Sequence, residues 1–239
     1  MIVKATTIRP APAAAGEKPA RRRRKEARPS ELLKAAIELF IERGYAATRS
    51  EDIAARAGVS KATLYLYFED KEALFKAVIT QGVVPILDES SHLIDEFTGD
   101  SGTLLRELLT RWQVRFSASS LGGIPKLIIS EARNFPELAL YHEKIAYARA
   151  RALLGRVIDR GVARGEFRAL DRGAVVELLI APLLMHFIWQ HSMGASGCPT
   201  IESTCYLNTH LDLILAGLSV QTAQTVARSD KPIQKIVRK

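Results

Sequence analysis

A short predicted helix that begins after Ser60 carries side chains that could bind a nucleic acid. Lys61, Thr63, Tyr65 and Tyr67 share its outward faces, and it has little else that could be buried. Such side chains hydrogen-bond to phosphate oxygens and base edges, so the chemistry they offer is recognition. The pattern therefore favours a helix that enters a DNA groove. An ordinary helical hairpin with exposed polar residues is the alternative.

The residues before this helix predict the turn that would position it. Ala54, Gly58 and Leu64 follow one another at intervals of four and six residues, which is the spacing of a helix-turn-helix. A small residue at Ala54 lets the second helix cross closely, and Gly58 can adopt the positive φ of the turn. Ser50 and Ser60 are predicted N-caps of the two helices, and Asp171 is the predicted N-cap of a later helix.

These residues lie in a segment that resembles a known family. From Leu33 to Phe75 the chain is similar to the DNA-binding domain of TetR/AcrR-type bacterial transcriptional repressors, in the segments AAIELFIERGYAAT, IAARAGVSKATLYLYF and DKEALF. The resemblance implies that the two tyrosines of the recognition helix offer hydroxyls to phosphate and that a lysine opening the fourth helix offers charge. The residues it places at the DNA surface are Thr48, Ser50, Lys61, Thr63, Tyr65, Tyr67 and Lys71.

Charge and composition extend this interpretation to the whole chain. The 239 residues carry a net charge of +8, but residues 1–28 hold nine basic and two acidic side chains and residues 222–239 hold five and one, which leaves −3 for the body. Basic arms of this kind could reach DNA through Arg23 and Arg24, or could merely keep the protein soluble. Helical periodicity predicts an all-α fold. The predicted parts are a disordered arm (1–28), a helix-turn-helix domain (29–75), a helical effector-binding and dimerisation domain (76–221) and a disordered tail (222–239).

The helix that links the two predicted domains contains helix breakers. It is predicted from about Lys71 to Phe97, with Gly82 and Pro85 inside it. Proline lacks a backbone N–H and clashes with the carbonyl four residues earlier, so we expect a kink near Gln81. The kink would be a natural place for coupled motion, or else a static bend.

A small-molecule effector site is expected among the helices of the second domain. Aromatic and methionine side chains on these helices could line a cavity, although an aromatic residue on a helical stripe is also ordinary core. The sequence does not indicate the chemical class of the effector. The candidates are Trp112, Phe116, Tyr141, Tyr147, Met185 and Trp189.

The last two predicted helices are apolar over more than one face. The family resemblance implies that such a pair forms a four-helix bundle with its mate in a homodimer, whereas burial within one chain is the alternative. The predicted interface residues are Leu179, Leu183, Leu207, Leu211, Ile214 and Leu218.

Other functional classes find less support in the sequence. No nucleophile elbow, phosphate-binding loop or paired catalytic carboxylates are present, so we predict neither an enzyme nor a cofactor. A metal site is not predicted, because the spacings of the late histidines and cysteines match no standard zinc pattern. The longest apolar stretch, Leu178–Trp189, is too short to span a bilayer, so a cytoplasmic protein is expected. A protein-binding helical adaptor or an enzyme without a recognisable motif remains the alternative to a ligand-responsive repressor of double-stranded DNA. The residues weighed for metal were His186, His191, Cys198, Cys205 and His210.

Overall fold

The computed structural model describes the backbone of residues 19–220 and the side chains of residues 29–220. The described part is all-α, as predicted, and its one β feature is an isolated antiparallel bridge between Phe167 and Ser219. Two π-helical turns, Ile79–Val83 and Glu143–Tyr147, join α4 to α5 and α8 to α9. The helices are α1 (Pro19–Arg43), α2 (Ser50–Arg56), α3 (Lys61–Tyr67), α4 (Lys71–Val78), α5 (Val84–Glu96), α6 (Ser101–Ser117), α7 (Ile124–Glu131), α8 (Pro136–His142), α9 (Ala148–Ala163), α10 (Arg172–His191) and α11 (Ser203–Leu218).

Helix α1 starts before residue 28, where the predicted disordered arm ends. Its first residue is Pro19, so the prediction of a disordered arm is wrong for residues 19–28. Proline suits the first position of a helix. The residues that follow it have high helix propensity, namely alanines, arginines, a lysine and a glutamate, although their basic composition had suggested disorder. The rest of the predicted arm and the predicted tail at 222–239 lie outside the described residues.

Helices α1, α2 and α3, the loops between them and the first part of α4 as far as Phe75 form a unit that we call the head. Its aromatic centre consists of Phe40, Tyr45 and Phe75, whose ring centroids lie 5.2 to 6.5 Å apart. Gly58 has a φ of 65° in the turn between α2 and α3, as the helix-turn-helix spacing predicts. Ala54 is buried where a larger side chain would separate the helices.

The linking helix is interrupted where the sequence predicts a kink. The π-helical turn Ile79–Val83 lies between α4 and α5, and Pro85 stands at the start of α5. Pro85 cannot donate to the carbonyl of Gln81, so a regular helix would lose that bond here, and the wider turn accommodates the loss. The predicted boundary between residues 75 and 76 falls inside α4, and it stays a prediction.

Helices α5 to α11 pack into a second unit, which we call the bundle. Asp171 accepts a hydrogen bond from the backbone N–H of Ala174 and caps α10 as predicted, and Asp100 caps α6 in the same way through Thr103. The leucines of α6 that face inward are fully buried against α9 and α11. One continuous apolar core runs from the head into the bundle, so the two units are not separated by solvent.

Candidate nucleic-acid interface and effector cavity

Helix α3 is held by its cap and by the side on which Leu64 is buried and Tyr67 half-buried, and the side with Lys61, Tyr65 and Leu66 is exposed. The Ser60 hydroxyl accepts a hydrogen bond from the backbone N–H of Thr63 at 3.1 Å, and the side chain of Leu64 is fully buried. Lys61 and Tyr65 are exposed. The helix is therefore attached to the head along one side and can lie in a groove with the other.

Lys61 already has an acidic neighbour in the DNA-free protein. Its ammonium pairs with the Glu51 carboxylate and lies 5.8 Å from the centre of the Tyr65 ring. The hydrogen bond with Glu51 raises the pKa of Lys61, so this side chain is charged at neutral pH. Because both partners are half exposed, water screens the pair and a phosphate or base could replace Glu51 at little cost.

The other residues predicted for the recognition surface differ in accessibility. Tyr65 is 44% exposed, so its hydroxyl can reach a phosphate. Thr63 and Tyr67 are half-buried, with the Thr63 hydroxyl 2.9 Å from that of Ser60 and Tyr67 already in contact with a partner in the protein. Ser50 is also half-buried at the first position of α2, and the N-cap is Arg49, so the prediction that Ser50 caps this helix is wrong.

Thr48 faces into the protein, contrary to the prediction that it lies at the DNA surface. Its side chain is 1% exposed. The hydroxyl donates to the backbone carbonyls of Leu39, at 3.1 Å, and Gly44, at 2.7 Å. The side chain thus ties the start of the helix-turn-helix to the end of α1, and it has no free surface for a phosphate.

Lys71 is also turned toward the protein backbone, so the prediction that it offers free charge to DNA is wrong. Its ammonium donates to the carbonyls of Tyr45 at 2.7 Å and Thr48 at 3.1 Å, and more weakly to Ala46 at 3.4 Å. It also lies 4.3 Å from the centre of the Tyr45 ring. Partial burial lowers the pKa of Lys71. The side chain braces the loop that leads into α2.

One residue of the recognition surface was missed at the sequence level. Leu66 is 75% exposed on α3, between the two tyrosines. The signal was present, because residues two apart on a helix point to nearly opposite sides and Leu64 is the core anchor. An exposed leucine here can contact the methyl group of thymine. Arg23 and Arg24 lie in α1, but the placement of their side chains is outside the described part.

The loop at residues 45–48, which leads into α2, is also held from the bundle. The Glu131 carboxylate, at the end of α7 and 9% exposed, accepts a hydrogen bond from the backbone N–H of Ala46 at 3.2 Å. The rings of Tyr45 and Phe135 meet edge to face, with centroids 4.8 Å apart. At the other end of α7, Gly123 lies so close to Ile41 of α1 that a Cβ there would come within 2.5 Å of it. Head and bundle are therefore joined at both ends of α7.

The bundle contains an apolar cavity with about 780 Å³ of empty space, counting its open end. Both π-helical turns contribute to its wall, through Val83 in one and Tyr147 in the other, and α7 contributes Ile124 and Pro125. The linking helix, through its π-helical turn Ile79–Val83, and α7 thus both contribute to the wall of this cavity. The full lining is Val83, Leu87, Leu109, Trp112, Gln113, Phe116, Ile124, Pro125, His142, Ala146, Tyr147, Ala150, Ile180, Leu183, Leu184 and Phe187.

Three of the six predicted effector residues line this cavity and three do not. Trp112, Phe116 and Tyr147 are in its wall. Tyr141 lies outside it, with its hydroxyl 2.9 Å from that of Thr80. The prediction is also wrong for the two other residues, because Met185 is 59% exposed and Trp189 44% exposed on the outer side of α10. Sequence periodicity placed them on an apolar helix, but α10 is apolar on both sides.

Two polar side chains in the cavity wall were not predicted. Gln113 is 8% exposed. His142 is surrounded by apolar groups, and burial lowers its pKa to about 4, so its imidazole is neutral at physiological pH. The tryptophan and tyrosine of the wall direct their polar atoms elsewhere: the Trp112 indole donates to the Ser90 hydroxyl at 2.7 Å, and the Tyr147 hydroxyl donates to Glu177 at 2.9 Å.

Four of the six leucines and isoleucines predicted at a dimer interface belong to the core of the chain itself. Leu179, Leu207, Leu211 and Leu218 are at most 3% exposed, and Leu183 lines the cavity. Ile214 is half-buried against the core. The spacing of four, three and four residues in α11 marks the stripe that packs onto its own bundle, so the prediction that the four buried leucines lie at an interface is wrong.

The opposite sides of α10 and α11 are open and apolar. Leu178, Met185 and Trp189 are exposed at intervals of seven and four residues along α10, and Leu213 is 70% exposed on α11. The segment 172–196 is long and apolar enough to cross a membrane by composition, and 39% of its most apolar window is buried in the bundle. Across the described residues, His, Cys, Asp and Glu form no group of three that could hold a metal ion.

Comparison with known proteins gives matches over both units. The family model described as "Bacterial regulatory proteins, tetR family" matches residues 32–78, and the model described as "Tetracyclin repressor-like, C-terminal domain" matches residues 96–196. The HTH-type transcriptional regulator YdeS of Bacillus subtilis, a curated protein recorded as uncharacterised, is 27% identical over 162 residues, which cover 66% of this chain and 76% of YdeS.

Two further matches differ in extent. The HTH-type transcriptional activator FasR of Mycolicibacterium smegmatis is 43% identical over 70 residues, which are 29% of this chain and 32% of FasR. Among solved structures, the transcriptional regulator FadR of Bacillus subtilis in complex with stearoyl-CoA aligns with a TM-score of 0.68 at 19% identity, over 79% of this chain and 98% of that one. The first match covers less than a third of either chain, and the second is a likeness of fold.

Proposed function

Because the chain belongs to the TetR family of bacterial regulatory proteins, which are transcriptional regulators and not enzymes, we propose that it acts as a homodimeric repressor. In this proposal the helix-turn-helix domain predicted at residues 29–75 binds a palindromic DNA operator, and the helical domain predicted at residues 76–221 binds a small molecule that releases it. The protein would work in the cytoplasm, where the DNA is. The observation that supports the DNA-binding part is the exposed side of α3, which carries Lys61, Tyr65 and Leu66 opposite the buried Leu64.

The proposed DNA contacts follow from accessibility. Lys61 and Leu66 are assigned to base edges, because they are exposed on the part of α3 away from its anchor. Tyr65 is assigned to phosphate, because its hydroxyl is at the end of an exposed side chain. Ser50, Thr63 and Tyr67 flank this surface and are proposed as secondary contacts, and Arg23 and Arg24 as approaches to the backbone of the duplex.

The proposed dimer interface is the open side of α10 and α11. It combines large exposed apolar residues on two adjacent helices. Two copies packed face to face would form a four-helix bundle and would remove these apolar side chains from water. A two-fold arrangement would present two copies of α3, as a palindromic site with half-sites about one helical turn apart requires. The residues assigned to it are Leu178, Met185, Trp189 and Leu213.

The proposed route from effector to operator is helix α7. Its first turn lies in the cavity wall, and its last residue, Glu131, bonds the loop that leads into α2. A ligand that displaces this wall would favour a different position of the loop. It can shift the equilibrium only by its difference in affinity for the two states.

One selection experiment tests the DNA-binding part of the proposal. The purified protein is offered a pool of random duplexes, and we expect it to enrich a palindrome. In gel-shift titrations, Lys61→Ala should lose discrimination among operator variants at particular positions, whereas Tyr65→Phe should weaken all duplexes alike. Recovery of a non-palindromic sequence, or of no sequence, would contradict the proposal.

The direction of regulation needs a separate experiment. Since the matched relative FasR is named an activator, transcription from the selected operator is measured in vitro with and without the protein. We expect transcription to fall when the protein is added. A rise would replace repression by activation and would leave operator binding intact.

A further inference from the structure

The walls of the cavity set a limit on the charge of what it can hold. None of the sixteen described lining residues is an aspartate, glutamate, lysine or arginine. The one titratable base among them, His142, has its pKa lowered by burial to about 4. An ion placed inside would therefore lose its hydration without gaining a counter-charge, and this is a severe cost in an apolar environment.

The walls also limit where a polar group of a ligand could be bound. The indole of Trp112 and the hydroxyl of Tyr147 are already engaged with Ser90 and Glu177, as described above. Gln113 differs from both. Its side chain is 8% exposed and belongs to the cavity wall, and no hydrogen bond of its amide is found within the described part of the chain. An amide can both donate and accept, so it could bind one polar group of a ligand in an otherwise apolar wall.

We infer that the cavity takes an uncharged, mainly hydrocarbon molecule with a single hydrogen-bonding group, which the amide of Gln113 binds. The aliphatic and aromatic wall would hold the hydrocarbon part, and the neutral imidazole of His142 offers one more donor and acceptor. This inference rests on the proposed effector role of the bundle, and it adds the chemical class of the effector.

Intrinsic fluorescence provides a direct readout of occupancy. The chain has two tryptophans, Trp112 in the cavity wall and Trp189 on the outer side of α10. In the full-length Trp189→Phe protein, the remaining signal reports on the cavity. The probes are decanol, decanoate and decylammonium at neutral pH, below the concentrations at which they aggregate. They share one chain length and differ in the charge of the head group. We expect decanol to bind at least about tenfold more tightly than either ion.

The role of Gln113 is tested in the same background. Gln113→Leu keeps the size of the side chain and removes the amide, and we expect it to weaken decanol binding by about tenfold or more. Val114→Ala, on the exposed side of the same helix, is the matched control and should leave binding unchanged. If Gln113 had only a structural role, its leucine variant would lower the melting temperature of the ligand-free protein and would keep the wild-type decanol affinity. We expect the melting temperature to stay unchanged within error, because no hydrogen bond found in the described part of the chain depends on this amide.

The outcomes separate this inference from the proposed function. A protein that binds its selected operator but prefers decanoate or decylammonium, or that binds none of the three probes, overturns the inference and leaves DNA binding intact. An unchanged decanol affinity in Gln113→Leu overturns the assignment of Gln113. A protein that binds decanol as expected but selects no duplex overturns the proposed function instead.

Discussion

Replacing Lys71 with alanine should destabilise the protein itself. Its ammonium is bonded to the backbone carbonyls of Tyr45 and Thr48, at 2.7 and 3.1 Å, and lies on the face of the Tyr45 ring. Hydrogen bonds to a charged group contribute about 1.5–3 kcal/mol each, but the lysine also loses about 2 kcal/mol of side-chain entropy and part of its hydration. We expect a net loss of about 2 kcal/mol in the free energy of unfolding.

The matched control is Lys76→Ala in the same helix. Lys76 forms an exposed ion pair with Glu72 one turn away, so its removal should leave the stability unchanged within error. Urea unfolding followed by circular dichroism at one fixed protein concentration compares the two variants. For a chain of this size, a loss of about 2 kcal/mol corresponds to a melting temperature lower by about 4–8 °C.

The result that would refute the reasoning is specific. If Lys71→Ala unfolds like Lys76→Ala but binds its operator more weakly, the ammonium contributes to DNA binding through phosphate and the three carbonyl contacts are of no consequence. If it is destabilised and its remaining folded fraction binds normally, the side chain only braces the loop. The structure predicts destabilisation together with weaker operator binding, because the braced loop sets the position of α2.

Three further predictions concern other parts of the molecule. Ser60→Ala removes the cap of α3 and should lower the free energy of unfolding by about 1 kcal/mol, which urea titration would detect. His142, whose folded pKa is about 4, makes the free energy of unfolding depend on pH. The stabilisation is fully present above the unfolded pKa of about 6.5 and is lost as pH falls toward about 4, because the unfolded chain binds the proton more readily; the loss amounts to ~3 kcal/mol. His142→Gln should therefore flatten the dependence of unfolding free energy on pH in this range. If the proposed dimer forms through the open side of α10 and α11, Leu213→Glu should give monomers in sedimentation analysis, whereas Leu170→Glu, an exposed leucine on another surface, should not; equal masses for the two variants would contradict a role of α11 in the interface.

Sequence reasoning succeeded where a local rule determines the structure. The glycine turn at Gly58, the caps at Ser60 and Asp171 and the interrupted helix near Gln81 all depend on neighbours within a few residues. Their backbone conformations follow from the residue types themselves. The position of α3 within the head was predictable for the same reason.

The predictions were wrong where a side chain of a given type could lie either at the surface or inside the protein. Thr48 and Lys71 are polar residues next to the recognition helix, and the sequence does not reveal that carbonyls of the loop at 45–48 and of α1 are within their reach. In α10 and α11 both sides are apolar, so periodicity cannot decide which side meets the chain's own core. Leu211 proved fully buried and Leu213 exposed, although both fit an apolar helix.

The loop at 45–48 is the point at which these findings meet. It is held from α4 by Lys71 and from α7 by Glu131, and it leads directly into α2. Both supporting helices are continuous with walls of the cavity, α4 through the π-helical turn at 79–83 and α7 through its own first turn. An effector that separates these two walls would move Lys71 and Glu131 in different directions. In the proposed function, the head would respond to small changes in the bundle without any contact between ligand and recognition helix, because both supports of this loop lead to the wall of the same cavity.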